Sequence, residues 1–351
     1  MRTRLPIFAL SVLLAAGIGW AAAHRGSNAD DGPTADAEPT RYSADAKQPP
    51  AEPAGEVVVP NIDALLRQAV VQLSATGSIE AKVRQRIDLF DRELIGSGTY
   101  AQQGAGLTTR LRLEMRMRAN ESAMDLLQVA NGETLWTFNA VDGLHTLRRV
   151  DVDRVQDALR SERGDEPIAR TPTGTIGLGG LSWMLDGLRQ YCDFNDVQSA
   201  KLAELDVFVV HGQWRTEKLL SLLPEAERQR VAAGGTIDAS RLPQHLGDRV
   251  TIYLGRDDLF PYRFDYRRTL PQEENGNNGS NTPGTADSAT TDASPPTAAA
   301  TKPVMTLEFY EVRFGRNLPL EMFAYKPGQG AIDDTDRYID RLTAKAKSPR
   351  R

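Results

Sequence analysis

The chain of 351 residues has one cysteine, Cys192, and only four histidines. With a single thiol, no disulfide can form within the chain, and metal sites built from several cysteines are excluded. No histidine lies at ligand spacing from another histidine or an acidic residue on one predicted element, so we expect no metal site. The sequence also lacks a P-loop, a nucleophile elbow and a paired-carboxylate motif. We therefore expect no cofactor, no catalytic residues and no enzyme activity.

Positive charge does not predominate either. The chain has 42 Lys and Arg against 47 Asp and Glu, which gives a formal net charge of -5. An acidic protein is a poor electrostatic partner for the phosphates of nucleic acid or for anionic membrane surfaces. Nucleic acid is therefore not an expected partner.

Two long stretches lack the apolar residues that a core requires. Residues 24–55 contain no Val, Ile, Leu, Met, Phe or Trp, and residues 271–303 consist mainly of Asn, Gly, Ser, Thr, Ala and Pro. Such segments cannot bury enough apolar area to offset the entropy lost on ordering. The first is predicted to be a disordered linker. The second, which lies between two predicted strands, is predicted to be a disordered insertion in an enlarged hairpin loop.

An export segment is predicted at the N-terminus. Arg2 and Arg4 precede an uncharged apolar run over residues 5–20, and three alanines follow it. These are the three parts of a secretory signal peptide over residues 1–23. The alternative is an uncleaved anchor in the inner membrane, because residues 5–23 are just long enough to span a bilayer. In either case the positive-inside rule places the rest of the chain in the periplasm.

The periodicity of the remaining sequence predicts an α+β fold, with a folded domain over residues 56–346. Residues 79–89 and 111–117 alternate between apolar and charged side chains, which is typical of strands with one buried face. The pair at residues 131–132, Asn-Gly, predicts a hairpin. Helical spacing over residues 61–74 and 178–191 supplies the cover that an apolar sheet face needs. We expect a curved antiparallel sheet with helices on its concave face, and an elaboration at about residues 195–247.

Four short motifs resemble the periplasmic lipoprotein carriers, the LolA/LolB-like superfamily. A Gly-containing strand at residues 96–100 precedes the amphipathic strand at 111–117. Residues 131–139, N-G-E-T-L-W-T-F-N, resemble the hairpin D-G-x-x-L-W-x-Y-N of these proteins. Near the C-terminus, residues 322–327 resemble the closing F-x-F-x-P motif.

The resemblance implies a half-open β-barrel closed by a helical lid, with a hydrophobic cavity for acyl chains. The implied function is carrier-like, non-catalytic binding of lipid or lipoprotein acyl chains in the periplasm. The alternative is an envelope interaction or regulatory protein that uses the same fold while tethered to the inner membrane. Lipid, acylated lipoprotein and other envelope proteins are the corresponding partners.

The predicted ligand site is a hydrophobic cavity, and the alternative for each of its residues is ordinary core packing. The predicted lining consists of Leu111, Leu113, Met115, Trp136, Phe138, Trp183 and Met184. The resemblance also implies an arginine on an early strand that bonds to the lid, and the nearest matches are Arg110 and Arg112. Alternation places both arginines on the face of the strand opposite the apolar one. If this charged face is in water, neither arginine can reach a lid.

Overall fold

The structure is a computed structural model, and it describes residues 61–89, 92–119, 122–161, 176, 178–220, 225–235, 237, 247–270 and 300–343. The predicted export segment (1–23), the predicted linker (24–55) and most of the predicted insertion (271–299) lie outside the described residues. Within the described ranges, no helix is both long and apolar enough to cross a membrane.

Twelve strands of the described chain form one open sheet. Its order is β12-β6-β5-β4-β3-β2-β1-β11-β10-β9-β8-β7, and neighbours are antiparallel except for β12, which pairs parallel to β6. The strands are β1 Ser78–Leu89, β2 Arg92–Gln103, β3 Arg110–Ala119, β4 Ser122–Asn131, β5 Thr134–Val141, β6 Leu144–Asp151, β7 Cys192–Leu202, β8 Leu205–Trp214, β9 Arg249–Gly255, β10 Pro261–Thr269, β11 Thr301–Phe314 and β12 Ile332–Asp333.

The structure describes six helices, α1 Ile62–Ala75, α2 Val152–Ser161, α3 Gly180–Tyr191, α4 Thr216–Leu220, α5 Glu225–Ala232 and α6 Thr335–Thr343, with a 3₁₀ turn at Leu320–Phe323. The helices predicted at residues 61–74 and 178–191 correspond to α1 and α3. Asn61 caps α1, since its side-chain oxygen accepts a hydrogen bond from the backbone N–H of Ala64 at 3.0 Å. This bond satisfies one of the donors that a helix start leaves open.

One face of the sheet is apolar and buried under helices, and we call it the concave face. On β3 it carries Leu111, Leu113, Met115 and Met117, none more than 3% exposed. The buried sides of α1 and α3 pack into the same core cluster, and the two helices also pack against each other. The opposite side, the outer face, carries the charged residues of β1 and β3. The predicted fold class, an open curved sheet with helices over its concave face, is confirmed.

Two features of the sheet differ from the sequence-based expectation. Strand β7 was not predicted, because it is an edge strand with mostly exposed side chains and therefore lacks apolar alternation. Together with β8 it extends the main sheet beyond β9, so part of the predicted elaboration at 195–247 belongs to the same sheet. Strand β11 begins at Thr301, which pairs with Thr269, so the last three residues of the predicted insertion lie in a strand. β10 and β11 pair antiparallel, as an enlarged hairpin requires.

After β11 the chain crosses the outer face of the sheet. Leu318 and Phe323 pack on Ala101 of β2 in a small second core. Tyr325 then meets Trp136 of β5, with ring centroids 5.8 Å apart. The hairpin motif and the closing motif of the sequence therefore contact each other, and this contact covers apolar side chains on the outer face.

Candidate ligand site on the concave face

Four residues of the predicted lining lie together in the core between the sheet and the helices. Leu111, Leu113 and Met115 project from the concave face of β3, and Met184 projects from α3. All four are buried and belong to one core cluster, with Trp183 half-buried against it. In this structure their side chains pack as core, and a role in ligand binding stays a prediction.

The other two predicted lining residues lie on the opposite side of the sheet. Trp136 and Phe138 are on the outer face of β5, where Trp136 packs against Tyr325 and Phe138 stacks on His145. The register of β4 with β5 places Leu135 on the concave face instead, opposite Ala130. The prediction that the two rings line a cavity with Leu111 is therefore wrong. Alternate residues of a strand point to opposite faces of the sheet. At β5 the outer face also carries apolar side chains, because the C-terminal segment packs on it.

The two arginines considered for a lid contact also lie on the outer face. The Nη1 of Arg112 donates to the backbone carbonyl of Met322 at 3.2 Å, and its guanidinium pairs with Glu114. The Nη1 of Arg110 reaches Gln103 Oε1 at 3.5 Å on the neighbouring strand. The expected contact with the lid is not formed by these residues, because alternation directs them away from α1 and α3.

A glutamine joins the sheet to α3 instead. Gln102 lies on the concave face of β2 and is fully buried. Its Oε1 accepts the backbone N–H of Leu181 at 3.2 Å, at the start of α3, and also accepts the hydroxyl of Tyr100. Burial raises the pKa of the Tyr100 phenol, which therefore keeps its proton as the donor. We call Gln102, Tyr100 and Leu181 the latch. In the sequence the latch is indicated by Gln102, a polar residue at a position of β2 where the alternation predicts an apolar one.

Two consecutive glycines lie at the start of α3, next to the latch. Gly179 and Gly180 have φ of 77° and 61°, in the left-handed region that favours glycine. A Cβ added to Gly180 would lie 2.2 Å from Gln102 Oε1, so an alanine there would force the Gln102 side chain out of its position in the latch. The glycine at position 180 thus has a specific structural reason.

Gly180→Ala is expected to destabilise the protein by about 2–4 kcal/mol, since it adds a steric clash to the cost of a left-handed alanine. Gly143→Ala is a matched control, because Gly143 has φ of 82° and the described chain places nothing within 4 Å of its Cβ position. The control should lose only about 1–2 kcal/mol. Thermal and denaturant unfolding followed by circular dichroism measure both. Equal losses would show that Gly180 and Gln102 are not in close contact.

Two amides are buried on the concave face further along the sheet. Gln128 of β4 has no exposed surface, and Asn139 of β5 is 6% exposed. Among the described residues, neither Nε2 nor Oε1 of Gln128 finds a hydrogen-bond partner, and nor does Oδ1 of Asn139. Leaving a buried polar group unpaired costs about 1–3 kcal/mol, so this arrangement opposes folding.

The outer face carries a charged groove of about 280 Å³ over β1, β10 and β11. The charged side chains that line it are Arg84, Arg86, Asp88, Arg263, Arg267 and Glu308. Several of these charges are already balanced: Arg263 Nε lies 2.8 Å from the buried Asp265, and Arg86 pairs with Glu93. The groove is best described as a set of ion pairs within and between strands, which contribute little to stability where they are exposed.

The described residues of the concave site include one thiol, Cys192, and no group of metal ligands. In the part of the chain that the structure describes, no three His, Cys, Asp or Glu residues are placed to hold a metal ion. Cys192, at the junction of α3 and β7, is buried. Desolvation by burial is the main cause that raises the pKa of its thiol to about 12. The thiol is therefore protonated at neutral pH and is a poor nucleophile.

No sequence-family profile matches the chain, and no curated protein matches it in sequence. Solved structures similar to it include a putative outer membrane lipoprotein-sorting protein domain from Vibrio parahaemolyticus, 8% identical, with 74% of this chain and 95% of that chain covered and a TM-score of 0.28. An uncharacterized conserved protein from Thermus thermophilus is 10% identical, with coverages of 77% and 97% and a TM-score of 0.34. The MucA/MucB complex of Pseudomonas aeruginosa matches at 10% identity, with coverages of 75% and 60% and a TM-score of 0.29.

Proposed function

We propose that this protein is a non-catalytic binding protein of the bacterial periplasm that takes up lipid or lipoprotein acyl chains between its sheet and α3. The observation that supports this most is the apolar concave face, which is continuous across the middle of the sheet and covered by helices. The LolA/LolB-like motifs in the sequence agree with it. Export, as the N-terminal segment predicts, would place the domain where such ligands occur.

Binding would proceed by withdrawal of α3 from the sheet. One hydrogen bond of the latch, from the Leu181 N–H to Gln102 Oε1, joins α3 to the sheet, and it contributes about 1 kcal/mol. Burial of an alkyl chain contributes about 0.8 kcal/mol for each methylene, so a chain of about ten methylenes outweighs the latch several times over. Met115, Met117 and Met184 lie on the two sides of the site. Their flexible side chains can adapt to an irregular ligand.

Native mass spectrometry of the protein purified from its own envelope tests the proposal directly. We expect a stoichiometric co-purified lipid or acylated peptide, identified by extraction of the same sample. If the residues of the concave face form only a packed core, the protein would give an unliganded mass that does not change after incubation with lipids. That result would reject acyl-chain binding.

Cys192 offers a second test, because it reports movement of α3 without any engineered label. Its backbone N–H donates to the carbonyl of Leu188 at the end of α3, and its thiol is buried with a raised pKa. Iodoacetamide at about pH 7.5 should therefore label it slowly in the native protein and rapidly in denaturant. Lysophosphatidylcholine at submicellar concentration should accelerate native labelling severalfold. Bound lipid without acceleration would show that the chain enters without moving this end of α3.

The alternative function is a tethered interaction or regulatory protein of the envelope. The observation that favours it is the dense packing of the concave face, where Leu111, Leu113 and Met184 are at most 4% exposed. An intact Met1 in the mature protein would support the tether and count against a diffusing carrier. The lipid measurements above separate the two functions, since a filled core binds no acyl chain.

A further inference from the structure

We propose that Gln128 and Asn139 bind the polar linkage of the acyl ligand, and that this linkage is a secondary amide. The inference rests on the proposed function, since it assigns the chemistry of the ligand that would enter the same site. It makes N-acyl chains the preferred ligand class, ahead of esters and free fatty acids.

The two amides are close neighbours on one face. Gln128 lies directly opposite Thr137 of β5, and Asn139 is two residues further along that strand, opposite Leu126. Diagonal neighbours of this kind have Cα atoms about 7–8 Å apart in an antiparallel pair, within reach of one small group held between the side chains. The register with β3 places Leu113 on the other side of Gln128. The pair is therefore a polar point inside an apolar surface, which is the usual composition of a lipid or small-molecule site.

The unpartnered atoms define which group fits. Gln128 Nε2 offers N–H donors, while Gln128 Oε1 and Asn139 Oδ1 are acceptors. All three atoms are buried without partners in the described structure. A secondary amide brings one carbonyl and one N–H, so its carbonyl accepts from Nε2 and its N–H donates to one of the two oxygens. The acyl chain attached to it would then lie along the apolar side chains of β3 and β4.

Other head groups satisfy these atoms less well. An ester has a carbonyl but no N–H, so both protein oxygens would stay unpaired after binding. A carboxylate would place its negative charge against the same two oxygens in a dry environment, which is costly without a cation. An unpaired buried acceptor costs more free energy than a formed hydrogen bond contributes. The difference in binding affinity between an amide and an ester should therefore be large.

The test compares N-methylpalmitamide with methyl palmitate. The two molecules have the same acyl chain and differ only in the group next to the carbonyl, which is N–H in the amide and O in the ester. Displacement of an uncharged fluorescent alkyl probe from the purified full chain measures both affinities. The wild type should bind the amide about tenfold more tightly than the ester. Gln128→Met and Asn139→Leu keep the side-chain volume and remove the amide groups. They should reduce the preference to about twofold or less while the probe still binds.

Gln85→Met is the matched control. Gln85 is a buried glutamine on the same face of β1, but its Nε2 has a partner, Met305 Sδ at 3.3 Å. This variant should keep the roughly tenfold amide preference. Equal binding of amide and ester by the wild type, or a preference that survives in Gln128→Met, would overturn the inference while probe binding upholds the proposed function. Failure of the probe to bind the wild type would overturn both.

Discussion

Leu111→Ala is expected to lower the free energy of unfolding by about 2–5 kcal/mol. Leu111 is 0% exposed in the middle of the sheet, between Gln102 of β2 and Ala130 of β4. Removing its three distal carbons deletes buried apolar area and leaves a cavity that rigid neighbouring strands cannot close. Denaturant unfolding at equilibrium, followed by circular dichroism, measures the change.

Leu144→Ala is the control for this substitution. Leu144 is 65% exposed at the start of β6. The same loss of atoms there should change the free energy of unfolding by about 0.5 kcal/mol or less. A loss below about 1 kcal/mol at Leu111 would show that its side chain is loosely packed. Loose packing would identify Leu111 as part of an open ligand cavity and not of a core.

Gln128→Met is expected to raise the free energy of unfolding by about 1–3 kcal/mol. The substitution replaces an amide that has two unpartnered polar atoms with an apolar side chain of similar length and volume. Most core substitutions destabilise, so a gain of this size would be diagnostic. It would also indicate that the amide is retained for a role other than stability, as expected for a ligand site.

The substitution Gln85→Met shows whether the gain in stability comes from removing unpaired polar atoms or from any replacement of a buried glutamine by an apolar residue. Gln85 donates to Met305 Sδ. Because Gln85→Met removes a formed hydrogen bond, it should be neutral or destabilising. Thermal unfolding of both variants, without ligand and at equal protein concentration, gives the comparison. Destabilisation by Gln128→Met would mean that the amide is satisfied in solution, and the amide-binding inference would lose its basis.

Local patterns in the sequence determined most of the elements. Strand β3 alternates so regularly that its buried and exposed faces follow from the sequence alone, and the structure confirms them. Asn61 caps α1, and the chain turns between β4 and β5 directly after Asn131, at Gly132 and Glu133. These residues favour such positions through short-range hydrogen bonds and backbone freedom. Each of these features depends on neighbours within a few residues.

The faces of β5 were decided by the tertiary structure. Its sequence has apolar residues on both sides, Leu135 on one and Trp136 and Phe138 on the other. The larger rings suggested the buried side, but the C-terminal segment, which is distant in sequence, covers them on the outer face. A local pattern cannot distinguish the two faces when distant parts of the chain bury both.

The candidate site was decided in the same way. The sequence by itself determined that β3 has an apolar face, and it placed Met184 on a helix that could cover it. Only the tertiary structure brought Leu181 to Gln102, 79 residues apart, and set Gln128 beside Asn139 without partners. Side-chain hydrogen bonds and their absence depend on strand register and helix docking, which are fixed by packing of the whole core and leave no mark in local periodicity.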